Sequence, residues 1–112
     1  MMTANTGSFE KVVLQSAVPV LVDFYATWCG PCKMLTPVLE DLAKSYEGRA
    51  AIVKVDVDES QDLATQYGIS AVPALLVFQN GQVMNQTVGF QSRKDLAAML
   101  DKAMQATVVK AG

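Results

Sequence analysis

Two cysteines, Cys29 and Cys32, stand three residues apart where an apolar run gives way to a helical pattern. On a regular helix, residues at this spacing lie one above the other with Cβ atoms about 5–6 Å apart. A disulfide prefers about 3.5–4.5 Å between those atoms, so closing this ring is expected to distort the first turn slightly. The ring is small, and so is its entropic contribution to stability. A bond that is easy to reach and only mildly favourable suits cycling between dithiol and disulfide better than stapling. Cys29 falls at the helix start, where unpaired backbone N–H groups and the positive end of the helix dipole favour an anion. Thiolate is the reactive form, so Cys29 is the expected attacking sulfur and Cys32, about one turn on, the resolving one. Pro31 in the first turn gives up no needed hydrogen bond and stiffens the loop.

Two other readings of the pair compete. Cys-x-x-Cys is half of many zinc sites, but zinc takes about four ligands, and the chain offers two cysteines and no histidine. The other is a pair of inert buried thiols, for which a strand–turn–helix start is a poor location. The missing histidine also removes Ser–His–Asp and Cys–His machinery. Acid–base work near neutral pH therefore falls to a shifted carboxylate, cysteine or lysine.

Asp23 is the only charge in the apolar run 20–26. Burial raises a carboxyl pKa by up to about 3–5 units. Asp23 is either a strand-end or paired structural aspartate, or the base that takes the proton of Cys32, directly or through a water. Lys54, on an adjacent strand, is either its charge partner or a side chain that snorkels to solvent. Trp28 is either ordinary core or a ring that shields the sulfur and forms part of a docking surface. Pro73 immediately precedes a strand, where a trans bond is the physical default. Asn85-Gln86-Thr87 matches a glycosylation acceptor but is taken as chance in the absence of an export signal.

These residues have to be placed by an α/β framework. Residues 8–16 read as a short helix with Phe9, Val12 and Val13 on one side. Residues 20–26 are apolar on both alternating faces, the pattern of an interior strand. A long helix from about Cys29 to Tyr46 carries Leu35, Val38, Leu39 and Leu42 at helical spacing, with Glu40 and Lys44 as a wet-side pair. Pro37 should kink it, and Gly48 is its expected C-cap. Residues 51–57 form a second strand and residues 59–67 a shorter helix stopped by Gly68. Asn80-Gly81 between residues 74–79 and 83–88 predicts a two-residue hairpin turn. Ser92 with Asp95 resembles a capping box, opening a helix whose Leu96, Met99, Leu100, Ala103 and Met104 face the core. A strand–helix–strand unit followed by a hairpin implies a mixed sheet with helices on both faces.

The 112 residues suit one compact domain, 1–112. With 51% hydrophobic and 18% charged residues, the composition is far from disordered. The longest apolar stretch, residues 71–78, is much shorter than the roughly 20 residues of a membrane span. Eleven acidic and nine basic side chains give a net charge of −2, and no basic cluster exceeds Arg93–Lys94, which argues against nucleic-acid binding. Residues 1–13 lack the basic and apolar segments of a secretory signal. The expectation is a cytoplasmic protein whose cysteines rest reduced.

Taken together, VDFYATWCGPCK, the strand with Lys54 and Asp56, YGISAVPALLVF, NGQ and VGF resemble the thioredoxin family in order and spacing, from about Ser8 to Met104. The resemblance implies a thioredoxin fold, with a central mixed sheet of four or five strands flanked by four helices. The optional strand lies around residues 1–5. It implies a protein-disulfide reductase in which Cys29 is the nucleophile and Cys32 the resolving thiol. WCGPC resembles the reductant-type loop, whereas disulfide isomerases usually carry a histidine in that dipeptide. Asp23 matches a buried aspartate that assists proton transfer, and Lys54 its charged neighbour. Pro73 matches a cis-proline beside the cysteines, with Val72 offering backbone hydrogen bonds to an extended substrate segment. Trp28, Gly30, Pro31, Gly89 and Phe90 match the docking surface. No cofactor beyond the redox-active Cys29–Cys32 disulfide is implied. The implied partners are disulfide-containing protein substrates and a flavin-dependent, NADPH-linked thioredoxin reductase, with the chain a monomer. Tyr25, Ala74 and Phe90 depart from the commonest pattern, in which a second tryptophan, a threonine and a smaller residue stand. A binding module with incidental cysteines and an oxidant or isomerase remain the alternative functions.

Overall fold

The computed structural model describes the backbone of residues 1–111 and the side chains of residues 1–105. Its frame is a five-stranded mixed sheet ordered β1-β3-β2-β4-β5. The strands are β1 (Met2–Ala4), β2 (Val20–Tyr25), β3 (Ala51–Asp56), β4 (Ala74–Gln79) and β5 (Gln82–Val88). β1, β3 and β2 run parallel, while β4 and β5 are antiparallel additions beyond β2. Three α-helices accompany them: α1 (Gly30–Ser45), α2 (Gln61–Gln66) and α3 (Arg93–Ala111). The expected first helix is a shorter and wider turn over Glu10–Leu14, closed by the Gln15 N–H on the Glu10 carbonyl at 2.9 Å.

β2 lies at the centre of the sheet because both of its faces have apolar cover. Val20, Val22 and Phe24 join Val53, Val55, Leu76 and Phe78 on one face, under Phe9, Val13 and Leu63. Leu21 joins Ile52, Leu75 and Val77 on the other, under Leu35, Leu39 and Leu42 of α1 and Leu96 and Leu100 of α3. Each such side chain removed from water stabilises the fold by about 1.5–3 kcal/mol. The period-two alternation of β2 therefore puts Leu21, Asp23 and Tyr25 on the face that α1 covers.

Several boundaries differ from the sequence reading. β2 stops at Tyr25, one residue short, because the Ala26 carbonyl accepts the Cys29 N–H at 3.2 Å and turns the chain. α1 runs through Pro37 and ends at Tyr46, whose N–H reaches the Leu42 carbonyl at 2.9 Å. Gly48 is thus not the cap and belongs to the turn that follows. α2 begins at Gln61 rather than Glu59, since Asp56 Oδ1 accepts the Asp58 N–H at 2.8 Å and holds a loop there. The Glu40–Lys44 pair does not form. Among the described residues the ion pair is Arg93–Asp41, which joins the start of α3 to α1. Ser92 Oγ accepts the Asp95 N–H at 3.1 Å, as the capping pattern predicts.

Candidate active site

The cysteine loop hangs from the C-terminal end of β2. Cys29 adopts an extended conformation (φ −91°, ψ 114°) and is the N-cap of α1, the place a serine or aspartate commonly fills. Its sulfur accepts the backbone N–H of Cys32 at 3.2 Å. A negative charge on that sulfur gains from this donor and from the dipole of a 16-residue helix, and both favour thiolate over thiol. Cys29 and Cys32 are joined as a disulfide with Cα atoms 5.3 Å apart. A bond between these two sulfurs is the oxidised member of the expected cycle. Because Cys29 stands outside the helix with extended backbone, the ring closes without being laid across a regular turn.

The pair is more covered than a strand–turn–helix start implies, with Cys29 5% and Cys32 3% exposed. It lies just beneath the surface, since Trp28, Gly30 and Pro31 are all exposed. Trp28 is 70% exposed, which removes the core reading of that ring. Its indole N–H donates to Asp58 Oδ2 at 3.0 Å, so the ring is held against the protein surface. Asp58 was not among the residues singled out in the sequence. It sits in an acidic loop after β3, and nothing in linear spacing marks it as the partner of a tryptophan 30 positions earlier.

Across the loop the Val72–Pro73 peptide bond is cis, as the resemblance implies. The Cys29 sulfur is 3.8 Å from the Val72 carbonyl oxygen. In the dithiol form the Cys29 S–H, a weak donor, has that carbonyl within reach. The Val72 N–H meets no partner among the described residues. Gly89, at the end of β5, has φ +94° and donates its N–H to the Pro73 carbonyl at 2.7 Å. A positive φ of this kind favours glycine, and the bond ties the hairpin to the proline loop. Phe90 follows it, 45% exposed.

Asp23 is wholly buried in the middle of β2, facing Lys54 of β3 and Leu75 of β4 in register. Neither carboxylate oxygen has a hydrogen-bond partner. The paired or strand-end alternative therefore fails. Burial is the main influence on its acidity and the Lys54 charge a smaller opposing one, and together they leave its pKa pushed up to about 6. Lys54 makes neither an ion pair with Asp23 nor a simple escape to solvent. Its Nζ sits 4.3 Å from the centroid of the Tyr25 ring. Tyr25, Val57 and Val72 pack against the cluster formed by Ala26, Cys29 and Cys32. The structure thus gathers Trp28, Cys29, Gly30, Pro31, Cys32, Val72, Pro73 and Gly89 at one end of the sheet, with Asp23 two residues before Tyr25 on the same face of β2.

The donors present do not suit a metal: among the described residues no three His, Cys, Asp or Glu side chains come together to hold one. The cavities of about 570 and 330 Å³ are lined by none of the residues around the disulfide.

Comparison with known proteins points the same way. The thioredoxin family model matches residues 1–102. Thioredoxins of Staphylococcus aureus strains Mu50 / ATCC 700699, MW2 and N315 are each 56% identical to this chain over 82 residues, covering 73% of this chain and 79% of theirs. With a redox-capable Cys-x-x-Cys pair at a helix start, a cis-proline beside it and this family match over nearly its whole length, the chain belongs to the thioredoxin family of thiol–disulfide oxidoreductases.

Proposed function

We propose that this chain reduces disulfides in protein substrates by two successive exchanges at Cys29 and Cys32. The Cys29 thiolate attacks one sulfur of the target disulfide. A bond forms between Cys29 and that sulfur, the target S–S bond breaks, and the departing thiolate takes a proton. Cys32 then passes its thiol proton to Asp23, directly or through a water, and attacks the Cys29 sulfur of the mixed disulfide. The second target thiolate leaves, and Cys29–Cys32 is left oxidised by the two electrons delivered. The observation that carries this reading is the Cys32 N–H aimed at the Cys29 sulfur, which favours the charge on one sulfur and keeps the other one step away.

Val72 and the Pro73 loop receive the substrate backbone beside that sulfur, and Trp28, Pro31 and Gly89 border it. A Cβ on Gly30 would stand in open space within this chain, so the bare side there serves what approaches from outside. Lys54 acts on the charge of Asp23. The dithiol is restored by an NADPH-linked thioredoxin reductase, and no cofactor binds the chain itself. One copy carries both sulfurs, so a monomer of one domain, residues 1–112, suffices. A cycle that must return to the dithiol suits the cytoplasm, and no helix among the described residues is long and apolar enough to cross a membrane.

The test is a pair of variants with insulin as substrate. Cys32→Ser is expected to accumulate a mixed disulfide through Cys29, and Cys29→Ser is expected to abolish reduction. Undiminished reduction by Cys29→Ser removes the enzymatic reading in favour of a binding module. Equilibration against glutathione separates reductant from oxidant or isomerase.

A further inference from the structure

Tyr25 stands two residues beyond Asp23 on β2 and shares its face of the sheet. On one side its ring packs against Ala26, Cys29 and Cys32. The Lys54 ammonium lies over the ring face, 4.3 Å from the centroid. Lys54 is in direct register with Asp23, so its stem starts beside the carboxylate while its head reaches the ring of Tyr25, two pairs further along. Past the ring opens a cavity of about 270 Å³ lined by Thr3, Ala4, Asn5, Tyr25, Lys54, Asp56 and Glu59. A lysine stem is flexible and its strongly hydrated head seeks water and carboxylates. Asp56 and Glu59 supply carboxylates in that cavity, yet Lys54 forms no ion pair with either. An aromatic face attracts a cation placed within about 6 Å of its centroid, more strongly where water is thin.

We propose that Tyr25 is a positioning residue for the exchange: its ring face holds the Lys54 ammonium where its charge acts on the Asp23 carboxylate without pairing with it, against the pull of Asp56, Glu59 and solvent. This rests on the reading of Asp23 as the base for Cys32. α1, which covers this face, brings Leu35, Leu39 and Leu42, and the cysteines at its start are joined in the oxidised chain. β3 brings Lys54, β4 brings the apolar Leu75, and β1 brings Thr3, in register with Lys54. Burial raises the Tyr25 phenol pKa, and the charges of Asp56, Glu59 and Asp23 raise it further. Lys54 is the positive charge that acts on Asp23. Losing the ring releases the ammonium outward and leaves Asp23 harder to ionise.

The test follows the Asp23 side-chain carboxyl carbon by NMR against pH in the oxidised full chain, where the two cysteines do not titrate. Tyr25→Leu keeps apolar bulk and removes the ring face. Its midpoint is expected to rise by about half to one pH unit, the size of a cation–π contact expressed in pH. Tyr25→Phe is expected to keep the native midpoint, and in a Lys54→Met background Tyr25→Leu is expected to change nothing. An unmoved or lowered midpoint in Tyr25→Leu overturns the proposal. So does an equal rise in Tyr25→Phe, or a rise that persists without Lys54. Should Tyr25→Leu not fold, Tyr25→Trp decides, since a stronger ring face must leave the midpoint at or below native and a rise overturns the idea. This titration is independent of where the Cys32 proton goes. The kinetics of Asp23→Asn test that separately, so the two can fail apart.

Discussion

Asp23 is expensive to keep. Its carboxyl is buried without a hydrogen-bond partner and titrates near pH 6 rather than 3.8. Because the folded pKa is raised, the folded state binds more protons than the unfolded one between about pH 4 and 6. Stability is therefore lost as pH rises through that window and stays lower above it, by about 3 kcal/mol for a shift of this size. Asp23→Asn is expected to stabilise the protein at pH 8 by about 1–3 kcal/mol, less than the full penalty because a buried amide also lacks partners there. At pH 4 the gain should nearly vanish. Urea unfolding at the two pH values checks this, and an equal effect at both contradicts it. The same variant is expected to slow the resolving attack of Cys32 more than the first attack of Cys29, read by stopped flow. Equal slowing of both steps, or none, would sink the assignment of the base. The isolated charge in an apolar strand made Asp23 visible in the sequence. Its orphaned oxygens and the seat of Lys54 on a ring were not visible, because those depend on where flexible side chains come to rest.

At the scale of elements, signals with a local cause were legible. The Asn80-Gly81 turn is such a case: φ is +53° at Asn80 and +78° at Gly81, the conformation a two-residue hairpin requires. A Cβ at Gly81 would also lie 3.4 Å from the Leu14 carbonyl. Gly81→Val is expected to destabilise the fold by about 1–3 kcal/mol, measured by denaturant unfolding. No loss of stability there would contradict the turn geometry. Non-local features were harder to read. β5 carries an irregularity between the Val77 and Phe78 pairings, since Val77 faces Asn85 while Phe78 faces Val83. No residue type announces it. β1 is three residues long, too short for alternation to show, and exists because β3 offers a parallel edge. The ends of α1 differ from the sequence reading by one residue each, because Cys29 and Tyr46 cap the helix rather than belong to it. The covering of the two cysteines was also missed, for it comes from Val57 and Val72 on segments distant in sequence.

Over the whole molecule, the sheet divides the core in two and delivers its chemistry to one end. Along the face of β2 under α1, Leu21 is sealed in the core, Asp23 is buried two residues on, and Tyr25 packs against the cysteine cluster. The same strand thus anchors the fold and leads directly into the loop that carries the sulfur at the start of α1. That arrangement matters only if the sulfur is ionised in preference to its neighbour. The most direct measurement is the pH dependence of alkylation of the fully reduced protein, with the modified cysteine mapped by mass spectrometry. Cys29 is expected to react first, with a midpoint clearly below the roughly 8.5 of an ordinary thiol. A midpoint at or above that value, or first reaction at Cys32, would contradict the account.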